Sequence, residues 1–151
     1  MNHGFVRSAA GAITTYDVSG AGTASGQGTF PIYINSAGTV VGYYIDSKDD
    51  YHGFERTSAG VITDINVTGA TDTLASGIDT AGTITGYYLT SKKTLESFSR
   101  SSSGTFTTFE APGAGSGVAQ GTFAFAVNTG GSITGYYLTS GTVFEGFVRT
   151  P

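Results

Sequence analysis

Short apolar runs alternate along the chain with clusters of Gly, Ser, Thr, Asn and Asp. Three of these runs are near copies, "VGYYIDS" at 41–47 and "TGYYLTS" at 85–91 and 134–140. A two-residue alternation puts Val41, Tyr43 and Ile45 on one face of the first copy and Val40, Gly42 and Tyr44 on the other. Both faces are partly apolar, which suits a strand covered on both sides. No segment holds a helical period over a useful length, so the pattern predicts an all-β chain.

The copies lie at a nearly fixed spacing. Gly42, Gly86 and Gly135 are separated by steps of 44 and 49 residues, and a Phe-x-Arg run recurs at 5–7, 54–56, 98–100 and 147–149. Every arginine of the chain (Arg7, Arg56, Arg100 and Arg149) occupies that one slot. Between these anchors "AITTYDV", "VITDINV" and "TFTTFEA" align, as do "INSAG", "IDTAG" and "VNTGG". Each unit therefore reads as four short strands separated by tight turns, with Asn and Gly at positions that favour positive φ. Units of this length, stacked face to face, describe β-propeller blades. The expected fold is propeller-like: one repeat domain with units at about 4–52, 53–96 and 97–145, and an extra closing strand at 146–151. Tyr43, Tyr87 and Tyr136 are expected to be structural, each beside a glycine whose gap takes a ring from a neighbouring sheet.

Three units fall short of the roughly four to eight that usually close a ring. The favoured partner is thus a second copy of the chain, a head-to-tail homodimer of six units; a filament and a compact monomer are the alternatives.

The units resemble the bacterial HAF-type repeats of extracellular and surface proteins. The resemblance rests on "HGF" at 3–5 and 52–54, "IN" at 34–35 and "VGYY" at 41–44. Glu96 and Glu145 stand where those repeats have His, Ser97 stands for Gly and Asp79 for Asn. The resemblance implies a secreted or cell-surface, propeller-like module and brings no catalytic activity. The opening residues lack a signal-peptide core, so the expectation is a leader absent from this chain, with a cytoplasmic location as the alternative.

Composition narrows the partners. The net charge is −4, and 12% of residues are charged. That balance offers no electrostatic footprint for nucleic acid or an anionic membrane. With no Cys there are no disulfides or thiolate sites. The glycine-rich stretches lack the Lys-Ser/Thr ending of a phosphate loop, and no Ser lies in a nucleophile elbow with a base partner. No cofactor or metal is expected, and the chain is expected not to be an enzyme.

The repeated arginines read as structural, pairing with carboxylates or carbonyls to lock each unit. His3, His52, Glu96 and Glu145 share one repeat position and read as hydrogen-bonding groups. Asp46, Asp49 and Asp50 read as a solvated turn. Two long connections, 19–35 and 112–128, are five residues longer than their counterpart at 68–79. They carry Gln27, Thr29 and Phe30, matched by Gln120, Thr122 and Phe123, a ring-plus-amide set suited to sugar recognition, with packing of Phe30 and Phe123 under the loops as core the favoured alternative. The leading expectation is lectin-like recognition of carbohydrate through repeated shallow sites, with avidity from a ring. A self-assembling scaffold and an enzyme with a site in a central channel are the alternatives.

Overall fold

The computed structural model describes residues 1–151 as thirteen β-strands without a helix. β1 (Gly4–Arg7) and β2 (Ile13–Tyr16) form a hairpin. β3 (Gly28–Ile34), β4 (Val40–Ile45), β5 (Tyr51–Arg56) and β6 (Ile62–Ile65) form a four-stranded antiparallel sheet. β7 (Asp72–Ile78), β8 (Ile84–Leu89), β9 (Leu95–Arg100) and β10 (Phe106–Phe109) repeat that order. β11 (Gly121–Val127), β12 (Ile133–Leu138) and β13 (Phe144–Arg149) repeat its first three strands.

The units are not three separate sheets. The second and third merge into a seven-stranded sheet that curls into half a barrel, joined where Gly121 of β11 lies parallel to Leu95 of β9. Gly121 has φ +128, and a Cβ there would collide with the Leu95 backbone. Only glycine permits this approach. Gly28, φ +126, makes the same parallel bridge to Asn2. At the equivalent position of the middle junction stands Asp72, whose carboxylate accepts the Tyr51 N–H at 3.0 Å. A side chain replaces the backbone bridge there, and the first two sheets stay distinct.

Two apolar clusters fill the junctions. Val18, Val40, Tyr44 and Phe54 lie between the β1–β2 hairpin and the first sheet. Val41, Ile65, Val67, Ile78, Ile84, Tyr88 and Phe98 lie between the first two units. Phe54 and Phe98 are fully buried, each contributing about 1.5–3 kcal/mol by burial. Phe147 in the same slot is half-buried, and Phe5 is 58% exposed. Burial of this repeated ring therefore depends on having a unit on either side.

The strand glycines make room differently from expectation. Gly86 lies opposite Phe98 of its own sheet, and a Cβ would come within 2.8 Å of that ring and meet the Leu74 carbonyl. Gly42 likewise faces the Phe30 carbonyl and Gly135 the Phe123 carbonyl. The gap thus serves the adjacent strands, not a ring from the next sheet. The carbonyl projects because each first strand is bulged, with Ile32, Ser76 and Phe125 as the extra residues.

Candidate functional site

The three first strands, β3, β7 and β11, lie beside one another, tied in part by the Ser76 hydroxyl donating to the Ala124 carbonyl at 2.7 Å. Their C-terminal ends surround a cavity of about 370 Å³. Each unit supplies the same three positions: a β-branched residue (Ile34, Ile78, Val127), an Asx residue (Asn35, Asp79, Asn128) and a hydroxyl (Ser36, Thr80, Thr129). Tyr33 adds a half-exposed ring.

The Asx residues are held by the turns they begin. Asn35 Oδ1 accepts the Ala37 and Thr39 N–H groups, and Asn128 Oδ1 accepts those of Gly130 and Ser132, all at 3.0 Å. Asp79 Oδ1 accepts the Thr83 N–H at 2.8 Å. Glycine closes each turn at positive φ (Gly38 78, Gly82 86, Gly131 79). Asn35 Nδ2 also donates across the unit boundary to the Asp79 carbonyl at 2.9 Å. Asp79 is only 6% exposed and belongs to no ion pair. Its second carboxylate oxygen and the Asn128 amide nitrogen make no hydrogen bond within the chain. A buried carboxylate with a spare oxygen is an acceptor that a bound hydroxyl can satisfy.

The loop residues singled out in the sequence lie elsewhere. Gln27 is buried, its Nε2 donating to Asp49 at 2.8 Å and its Oε1 accepting the Ala24 N–H at 3.1 Å. Gln120 Oε1 accepts the Gly117 N–H at 2.9 Å. Thr29 and Thr122 are buried, and their hydroxyls accept the N–H groups of Val18 (3.0 Å) and Ala111 (2.9 Å). Thr73 does the same for Val67 in the unit with the short loop, so this threonine fastens each unit's first strand. Phe30 stacks on Tyr43 with ring centres 5.0 Å apart, and Phe123 sits between Tyr136 at 4.8 Å and Tyr87 at 5.3 Å. The amide oxygens and hydroxyls of both sets are thus spent within the chain, and their rings pack on tyrosines.

Tyr43, Tyr87 and Tyr136 are half-buried members of this aromatic row, which Tyr51, Phe125 and Phe144 extend. Burial pushes the Tyr87 hydroxyl up to about 12, with further contributions from the neighbouring Tyr136, Tyr43 and Tyr51. The second tyrosines meet the former His/Glu position: Tyr44 stacks on His52 at 4.9 Å, Tyr88 donates to Glu96 and Tyr137 donates to Glu145. His3 instead contacts Asp17 at 2.8 Å. Each of these groups serves its own unit.

The arginines reach across unit boundaries. Arg56 lies over the Tyr16 ring and Arg149 over the Phe109 ring, 4.6 and 4.8 Å from the centres. Ile65 occupies the equivalent place before Arg100, which pairs with Glu55 at 3.6 Å. Arg7 is exposed and has no such neighbour. In the Asp46 turn, Oδ1 accepts the Lys48 and Asp50 N–H groups, and the Lys48 bond leads in lowering that carboxyl below its usual range.

The cavity at the strand ends was missed because "INSAG", "IDTAG" and "VNTGG" read as turns. The available signal was an Asx residue retained at all three positions with one bearing charge. Comparison of the chain with protein-family models, with curated proteins and with solved structures finds no match to any of them.

Proposed function

We propose that the protein is a non-enzymatic, propeller-like module that binds neutral carbohydrate in the cavity where β3, β7 and β11 end. The observation that carries this is Asp79, a largely buried residue with one carboxylate oxygen free of hydrogen bonds within the chain, in the lining of a space shared with Asn128, three hydroxyl residues and the Tyr33 ring. A carboxylate accepts from a sugar diol, an amide donates to the ring or hydroxyl oxygens, and an aromatic face covers C–H groups. The negative net charge of the chain disfavours polyanionic glycans. Asp79 is the only carboxylate lining the cavity, whereas glycoside hydrolysis ordinarily uses two. Binding without cleavage is the chemistry that this set supports. The resemblance to HAF-type repeats and a surface poor in charge agree with a secreted or cell-surface location.

Calorimetry with neutral mono- and oligosaccharides at millimolar concentration tests the reading. Asp79→Asn keeps the turn-capping oxygen, as Asn35 and Asn128 demonstrate in the sister turns, and removes the charge. It should weaken binding about tenfold, the value of one charge-assisted hydrogen bond at 1.4 kcal/mol per decade. Tyr33→Ala should weaken it further. The reading fails if no neutral glycan binds, or if binding ignores both substitutions.

A further inference from the structure

A groove of about 300 Å³ runs between β1 and β3, lined by Phe5, Val6, Pro31, Ile32, Ile34 and Val40 among others. Phe5, Ile32 and Ile34 are each at least half exposed. The repeat identifies what belongs there. β1 and β2 match the third and fourth strands of the complete units, β5–β6 and β9–β10, in sequence and register. Their first and second strands are absent from that end of the fold, and the groove is the vacant position beside β3. At the opposite end the third unit has strands one to three, and the outer edge of β13 is unpaired.

The two ends are complementary. β1 and β13 carry the identical sequence Gly-Phe-Val-Arg, at 4–7 and 146–149. Either can therefore occupy the same place against β12 with every side chain on its proper face. β1 brings β2 with it as a fourth strand, which β13 cannot do. It also brings His3 opposite Tyr137, the pairing in which His52 stacks on Tyr44.

We propose that two copies of the chain exchange these elements: the β1–β2 hairpin of one protomer adds to β12 of its partner in place of β13, and the partner does the same in return. Each junction becomes a complete four-stranded unit, and its first two strands fill the groove. Phe5 then takes the buried slot held by Phe54 and Phe98, and the open edge of β1 is satisfied. The junction continues the packing already present on the other face of the hairpin, between Val6, Tyr16 and the first sheet. Two chains and two junctions close a ring of six units by two-fold symmetry.

Light scattering on the intact chain should give twice the 15.4 kDa chain mass. Phe5→Asp changes an exposed ring of the single chain, so it should leave circular dichroism intact and halve that mass. The double variant His3→Cys/Tyr137→Cys is a stricter reporter, because the chain has no other Cys. Directly opposite positions on paired strands lie within disulfide reach. Oxidation should yield a covalent dimer on a non-reducing gel. A monomer at every concentration, a mass that grows without limit, a disulfide within one chain, or a dimer that never cross-links would each overturn the exchange. The mass and the cross-link are read without sugar, so their failure is distinct from failure of the binding reading.

Discussion

The guanidinium of Arg56 lies over the ring of Tyr16, on the far side of the junction between the β1–β2 hairpin and the first sheet. Arg149 and Phe109 repeat the relationship one ring type away. The contact is to the ring face, so the Tyr16 hydroxyl is not needed for it, and that hydroxyl is buried without a hydrogen-bond partner. Tyr16→Phe is therefore expected to stabilise the fold by about 1 kcal/mol, the lower end of the penalty for an unpaired buried polar group. Urea denaturation would measure it; a loss of stability would mean that the hydroxyl has a partner.

The fastening threonines give a second expectation. Thr73→Val leaves the buried Val67 N–H without its 3.2 Å acceptor and should cost about 1–3 kcal/mol. Thr73→Ser keeps the oxygen and should recover most of that loss. Equal destabilisation by both would assign the role of Thr73 to its methyl group, judged from the shift in urea midpoint.

Gly86→Ala places a methyl group against the Phe98 ring and the Leu74 carbonyl. Overpacking of this kind costs about 1–3 kcal/mol. The thermal midpoint of the variant should fall, and Gly86→Ala/Phe98→Leu should regain part of the difference. A fall with no recovery in the pair would place the strain at the bulge carbonyl alone.

Alkaline stability follows from the tyrosines. The hydroxyls of Tyr44, Tyr87 and Tyr88 are each raised from 10.0 to about 12, chiefly by burial. A raised folded value means that the contribution is complete below pH 10 and disappears as pH climbs through 12. Wild-type melting temperature should thus be insensitive to tyrosine ionisation up to pH 10 and then drop. Tyr87→Phe should drop less steeply over that window. Parallel curves would show that Tyr87 ionises no differently after unfolding.

The repeat made much of the fold legible. Gly42, Gly86 and Gly135 located the second strand of each unit, and the Phe-x-Arg slot located the third. The bulges were not legible, because the extra residue is Ile in one unit, Ser in another and Phe in the third. Nor was the merging of two units into one sheet: Gly121 makes the joining bridge to Leu95, whereas Gly28 makes the same kind of bridge to Asn2 and its hairpin stays a separate sheet. The site was harder still. Gln27 and Thr29 share polarity with ligand-reading groups, but their hydrogen bonds are spent on Asp49 and Val18, nearby in space and remote in the repeat alignment. Asn35, Asp79 and Asn128 looked like turn formers and are turn formers. Only the gathering of three strand ends gives them a common cavity.

The bulge has one more consequence. Ile32, Ser76 and Phe125 stand outside the pairing ladder, but the Ser76 hydroxyl ties β7 to β11, so only the other two positions leave the hydrogen-bonded framework untouched. The three units already display an aliphatic, a hydroxyl and an aromatic group at this spot. A library at Phe125, the exposed bulge residue outside both the groove and the hydrogen bonds between strands, could therefore vary a surface position while the sheets beneath keep their pairing.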